Sequence, residues 1–138
     1  MNDQELARIL SQARRIAVVG LSDKPWRASN GVARYLQQSG YEIVPVNPNI
    51  EEALGARSFA RLEDIEESVD IIDVFRRPEF VHDLVKPALA SGAKLVWMQE
   101  GVYDAEASDL LRRGGLEVVM DRCLMVEHMR LLGASSSR

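Results

Sequence analysis

Short apolar runs alternate with helical patterns along the chain. Five runs read as strands: Arg15 to Gly20, Tyr41 to Val46, Val69 to Phe75, Lys94 to Met98, and Leu116 to Met120. β-branched residues dominate the first three and the fifth, as a covered pleated surface favours. Between the runs the spacing becomes helical. Val32 to Gln38 sets Val32, Tyr35 and Leu36 on one face, with Gly40 as a stop. Glu79 to Ala90 carries Phe80, Val81, Leu84, Val85 and Leu89 at helical spacing, opened by Pro78 and closed by Gly92. Pro87 inside that segment predicts a kink or an early end. Asp104 to Arg113 is a further helix, stopped by Gly114-Gly115, and residues 3–14 and Cys123 to Leu132 predict helices near the two ends. The long connection from Pro48 to Ser68 calls for a short helix or turn around Leu62-Glu63-Asp64-Ile65.

Strand and helix in alternation, with short links, imply right-handed βαβ units and a parallel sheet. The fold class expected is α/β: a Rossmann-like three-layer α/β/α sandwich on a five-stranded, mainly parallel sheet, forming one domain over residues 1–133 with a frayed tail at 134–138. The strand order favoured is 3-2-1-4-5, with 2-1-3-4-5 left open. A hydrophobic fraction of 46% and a charged fraction of 28% suit a globular chain of 138 residues. The net charge of −4 advertises no basic face for nucleic acid, so an anionic ligand must meet local clusters of cations. The single cysteine, Cys123, permits no internal disulfide and fits a reducing compartment. The N-terminus lacks the basic and apolar regions of a signal peptide, and no apolar run approaches the ~20 residues of a membrane span, so the cytoplasm is expected.

Ligands of open parallel sheets sit beyond the carboxyl ends of the strands, which selects five segments. In the first, Gly20 to Gly31, Gly20 permits a sharp turn and Ser22, Ser29 and Asn30 either donate to phosphate or cap the following helix; Lys24 and Arg27 offer charge-assisted bonds beside Leu21 and Pro25. It is neither a GxGxxG fingerprint nor a P-loop. The second, Val46-Asn47-Pro48-Asn49, lacks the acidic residue that NAD sites place here; it is a rigid uncharged rim or a plain turn. The third, Phe75-Arg76-Arg77-Pro78, sets two arginines at a strand tip, to pair with phosphate or with nearby Asp73 or Glu79. The fourth, Trp97 to Gly101, offers Gln99 as donor and acceptor, with Trp97 and Met98 favoured as core. In the fifth, Cys123 near a helix start is either a reactive thiol or a small apolar residue. His82 and His128 read as structural or surface residues, without metal-ligand spacing.

Together these residues resemble the small single-domain CoA-binding proteins, a family similar to the CoA-binding domain of the succinyl-CoA synthetase α subunit. The matching stretches are Val18 to Ser22 with Pro25, Arg27 and Ser29; Gly40-Tyr41 with Pro45 to Pro48; and Val69-Asp70 with Asp73 to Arg76. They continue through Gly92 to Lys94, Trp97, Gln99 and Gly101, then Val119 to Cys123 and Glu127. The resemblance implies coenzyme A as ligand, held by the loop at Gly20–Asn30, by Val46–Asn49, by Phe75–Pro78 and by Met98-Gln99-Glu100. The synthetase's catalytic histidine lies in a further domain, so its activity is not carried over. The expected role is a non-catalytic CoA-binding module, with no membrane partner and either a homodimer or an unidentified protein as partner. An NAD(P)-binding redox protein and a thiol-exchange protein acting through Cys123 are the alternatives.

Overall fold

The computed structural model of the protein describes residues 1–133; the expected tail at 134–138 lies outside the described residues. Five parallel strands form the central sheet: β1 (Arg15–Val19), β2 (Glu42–Val46), β5 (Ile71–Val74), β6 (Leu95–Met98) and β7 (Glu117–Val119), ordered β2-β1-β5-β6-β7. A two-residue antiparallel pair, β3 (Glu52–Ala53) and β4 (Ala56–Arg57), stands apart from it. It turns on Leu54 and Gly55, both at positive φ, and the sequence reading had not foreseen it. The anticipated turn after it is a 3-10 helix, Leu62–Asp64.

The observed order corresponds to 2-1-3-4-5, so the favoured 3-2-1-4-5 is corrected. Pro45 carries the physical reason. Gly20 N–H donates to Val46 O on the β1 side, so Pro45 faces outward, where its carbonyl accepts from Phe59 N–H at 2.9 Å. A strand with proline in its ladder belongs at an edge, where the missing N–H leaves no neighbour unbonded. With β2 outermost, β1 and β5 lie side by side, and the direction in which the chain adds strands across the sheet reverses between them.

Alternate residues of each strand enter two different cores. Ile16, Val18, Ile43, Ile71, Leu95 and Trp97 face α1 (Asp3–Gln12), α2 (Ala28–Gln38) and α5 (Leu124–His128). Ala17, Val19, Val44, Ile72, Val96 and Met98 face the opposite layer, which contains α3 (Val85–Leu89) and α4 (Ala105–Arg113). The expected helix at Glu79–Ala90 is broken into 3-10 turns at Pro78–Phe80 and His82–Leu84 before α3. Pro87 falls in the first turn of α3, where its lacking N–H is tolerated. The C-terminal helix is shorter than its pattern, passing at Met129–Gly133 into a π turn.

His128, 3% exposed, locks α5 onto α2: Tyr35 Oη lies 2.8 Å from its Nδ1, and Tyr35 and Tyr41 meet the imidazole edge-to-face. Burial holds the His128 pKa below the usual range. Tyr41 is pushed up to about 12, chiefly by burial, while its hydroxyl donates to the Leu10 carbonyl. His82 is exposed.

Candidate nucleotide site

The carboxyl tips of the strands are tied to one another in sequence across the sheet. Gly20 N–H donates to Val46 O at 2.8 Å and Asn47 Nδ2 to Leu21 O at 2.9 Å, joining the first two segments. Phe75 N–H donates to Val19 O at 2.8 Å, and Gln99 N–H to Val74 O at 3.2 Å. Leu124 N–H then donates to Gln99 Oε1 at 3.0 Å, joining the fourth segment to the fifth. Gly20, at φ +90, lies against the third segment so tightly that an added Cβ would stand 2.6 Å from the Phe75 carbonyl oxygen.

Above this edge the first loop is braced from inside. Ser22 N–H donates to Ser29 Oγ at 2.9 Å, Asn30 Nδ2 donates to Ser22 O at 2.9 Å, and Arg34 donates to Asn30 Oδ1 at 2.9 Å. Ser29 and Asn30 are buried, so they anchor the loop to α2 and do not cap the helix. The cap position is Arg27, in extended backbone with no side-chain cap and no acidic residue in the first turn. The N–H groups of Ala28, Ser29 and Asn30 therefore meet no acceptor among the described residues. Oriented, unpaired amides at the start of an eleven-residue helix present partial positive charge to an anion.

The other sequence-selected residues sort into wall and rim. Leu21, Val46, Met98 and Gln99 are buried and form the wall, Met98 within the α3–α4 layer. Asn47 spends both side-chain groups internally, its Oδ1 accepting from Asn49 N–H at 2.9 Å. Ser22, Gly20 and Phe75 are half-buried, while Lys24, Pro25, Arg27, Pro48, Asn49, Arg77, Pro78 and Glu100 are exposed. The half-buried Arg76 lays its guanidinium 5.8 Å from the Phe80 ring centre. Neither Arg76 nor Arg77 enters an ion pair with a described residue, so pairing with Asp73 or Glu79 is not realised. Cys123 is half-buried at the cap of α5 and packs against the α1–α2–α5 core.

Two features at this edge go beyond the sequence reading, which takes Asp73 only as a carboxylate for the neighbouring arginines. Asp73 is fully buried, in register with Val18 and Trp97, and neither carboxylate oxygen finds a hydrogen-bond partner. Burial alone pushes its pKa well above the usual carboxylate range. Its place in an otherwise apolar strand was the available signal. The second is a set of exposed rings, Trp26, Phe80 and Tyr103, on loops that follow β1, β5 and β6. A hollow of about 400 Å³ bounded by Glu5, Arg8, Lys94 and Glu117 lies at the opposite, amino end of the strands. No group of three or more His, Cys, Asp or Glu among the described residues can hold a metal ion, and no described helix is long and apolar enough to cross a membrane.

A parallel sheet whose strand order reverses beside a helix N-terminus with unpaired amides defines a Rossmann-like domain. Residues 14–129 match the family model of the CoA binding domain, and the chain belongs to that family. The uncharacterized protein YneT of Bacillus subtilis is 44% identical over 124 residues, covering 90% of this chain and 92% of YneT. The solved structure of cell-free ID.343 from Thermus thermophilus is similar at 47% identity and TM-score 0.91, covering 95% of this chain and 99% of that one. A hypothetical protein from Pyrococcus horikoshii OT3 superposes with TM-score 0.92 at 41% identity, covering 96% and 94% of the two chains.

Proposed function

We propose that this protein binds coenzyme A, free or acylated, as a stand-alone and non-catalytic module of the cytoplasm. The observation that carries the reading is the uncapped start of α2, with three amides lacking acceptors, at the edge where Gly20 brings β1 and β5 together. The diphosphate would be held by these amides and by Ser22, with Lys24 and Arg27 adding charge. Arg76 and Arg77, free of carboxylates among the described residues, are assigned to the 3′-phosphate, a group that coenzyme A carries and NAD lacks. Asn47, committed to the loop on both sides, stands where a dinucleotide enzyme would offer a carboxylate to the ribose.

Calorimetric titration with coenzyme A, dephospho-CoA, NAD and NADP tests the reading. Coenzyme A is expected to bind most tightly and to lose affinity without its 3′-phosphate; NAD binding of equal strength would favour a redox protein instead. Arg76→Ala is expected to weaken coenzyme A by roughly tenfold, the scale of one charge-assisted hydrogen bond, while leaving dephospho-CoA nearly unchanged. Equal losses for both ligands would remove Arg76 from the 3′-phosphate.

A further inference from the structure

Trp26 is 76% exposed, in contrast to Trp97, which is fully buried with its Nε1 donating to Arg122 O at 2.8 Å. Singly exposed apolar residues are ordinary on protein surfaces. Here, however, the exposed aromatic residues are Trp26, Phe80 and Tyr103, and all three follow carboxyl ends of sheet strands. Their exposed surface is thus gathered at the edge that holds the uncapped helix.

Trp26 differs from the other two in position and in what covers it. It precedes the cap residue Arg27 by one position, so it adjoins in sequence the unpaired amides of α2. Lys24 Nζ lies over the ring, 5.7 Å from its centre. A cation on one face is held by the electron-rich π system, and the high exposure of the residue leaves the other face open. Over Phe80, by comparison, sits the guanidinium assigned above to a phosphate. An open indole face flanked by a cation and by anion-binding amides fits a flat heteroaromatic group joined to phosphate, which is the description of a nucleotide base.

We infer that Trp26 is the stacking platform for the adenine of the ligand, with Lys24 bridging from the ring toward the phosphates. This rests on the coenzyme A reading and adds the determinant of base affinity within it. The same loop then performs two tasks: its backbone meets the diphosphate, and the side chain before the helix meets the base.

Tryptophan emission and calorimetry, with coenzyme A and 4′-phosphopantetheine as probes, separate the two levels of the claim. Coenzyme A is expected to quench the exposed indole and shield it from acrylamide, whereas 4′-phosphopantetheine, lacking the base, leaves it accessible. Trp26→Ala should weaken coenzyme A roughly tenfold, equivalent to about 1.4 kcal/mol and within the span of base–aromatic stacking. It should leave 4′-phosphopantetheine affinity unchanged, and Trp26→Phe should restore most of the loss. Tight coenzyme A binding with Trp26 emission unmoved would overturn the inference while leaving the ligand reading intact. Equal loss of both probes in Trp26→Ala would make the residue a brace of the loop and would also overturn it. Absence of coenzyme A binding by the unaltered protein would overturn both levels.

Discussion

Replacing Gly20 by alanine is expected to destabilise the protein by about 3 kcal/mol, to lower its Tm by about 10 °C, and to abolish measurable coenzyme A binding. Two costs add at this position. At φ +90 any L side chain is strained, and the new Cβ would lie 2.6 Å from the Phe75 carbonyl oxygen and 3.1 Å from its carbonyl carbon. Those are backbone atoms at the carboxyl tip of a central strand, which cannot swing aside as a side-chain end can. Relief requires β1 and β5 to separate at their tips, disturbing the bonds from Gly20 to Val46 and from Phe75 to Val19. Gly115 supplies the control: its φ of +95 is equally unusual, but no atom stands within 4 Å of an added Cβ. Gly115→Ala should therefore cost only the backbone strain, about 1 kcal/mol. Thermal unfolding of the two variants side by side checks the argument, and equal losses would show that the close approach at Gly20 is unimportant.

Asp73→Asn is expected to do the opposite, raising stability by about 2 kcal/mol near pH 8. The carboxyl is fully buried without a hydrogen-bond partner, so the folded state favours its neutral form. A folded pKa above the unfolded one contributes stability that is fully present below the unfolded pKa. That stability is lost as pH rises through the folded pKa. The unaltered protein should accordingly lose stability as pH rises from the ordinary carboxyl pKa toward the raised folded one, and the asparagine variant should lack this part of the slope. The gain is bounded because the amide is still a buried polar group. Chemical denaturation from acidic to mildly alkaline pH provides the check; an asparagine variant that is less stable near pH 8 would mean the carboxylate is usefully bonded. Such a residue beside a binding edge is consistent with stability being given up near sites.

The strands and both layers were readable because β-branched runs and helical spacing are local signals, and each of the five expected strands is present. Strand order was harder, since it depends on which way the chain crosses after β2, and no local period records that choice. Pro45 did record it, as an edge-strand residue, but that signal is a missing donor and is silent in a hydrophobicity pattern. Within the candidate site, residue types singled out the loops at the strand tips without revealing their division of labour. Ser29, Asn30 and Asn47 have the chemistry of phosphate donors, yet their side-chain bonds go to the loop itself. The unpaired amides of Ala28 to Asn30 belong to the backbone, so no side-chain pattern advertises them. Trp26 was passed over for a related reason: in a sequence, an aromatic residue reads as core until its exposure is seen.

The central claim is a location, and a backbone-amide NMR titration with coenzyme A measures location directly. Shifts are expected only within residues 20–30, 46–49, 75–77 and 98–100, largest for the amides that open α2, with Glu5, Arg8, Lys94 and Glu117 at the far end unmoved. Shifts clustered around the hollow at the amino end of the strands, with the α2 amides silent, would contradict it.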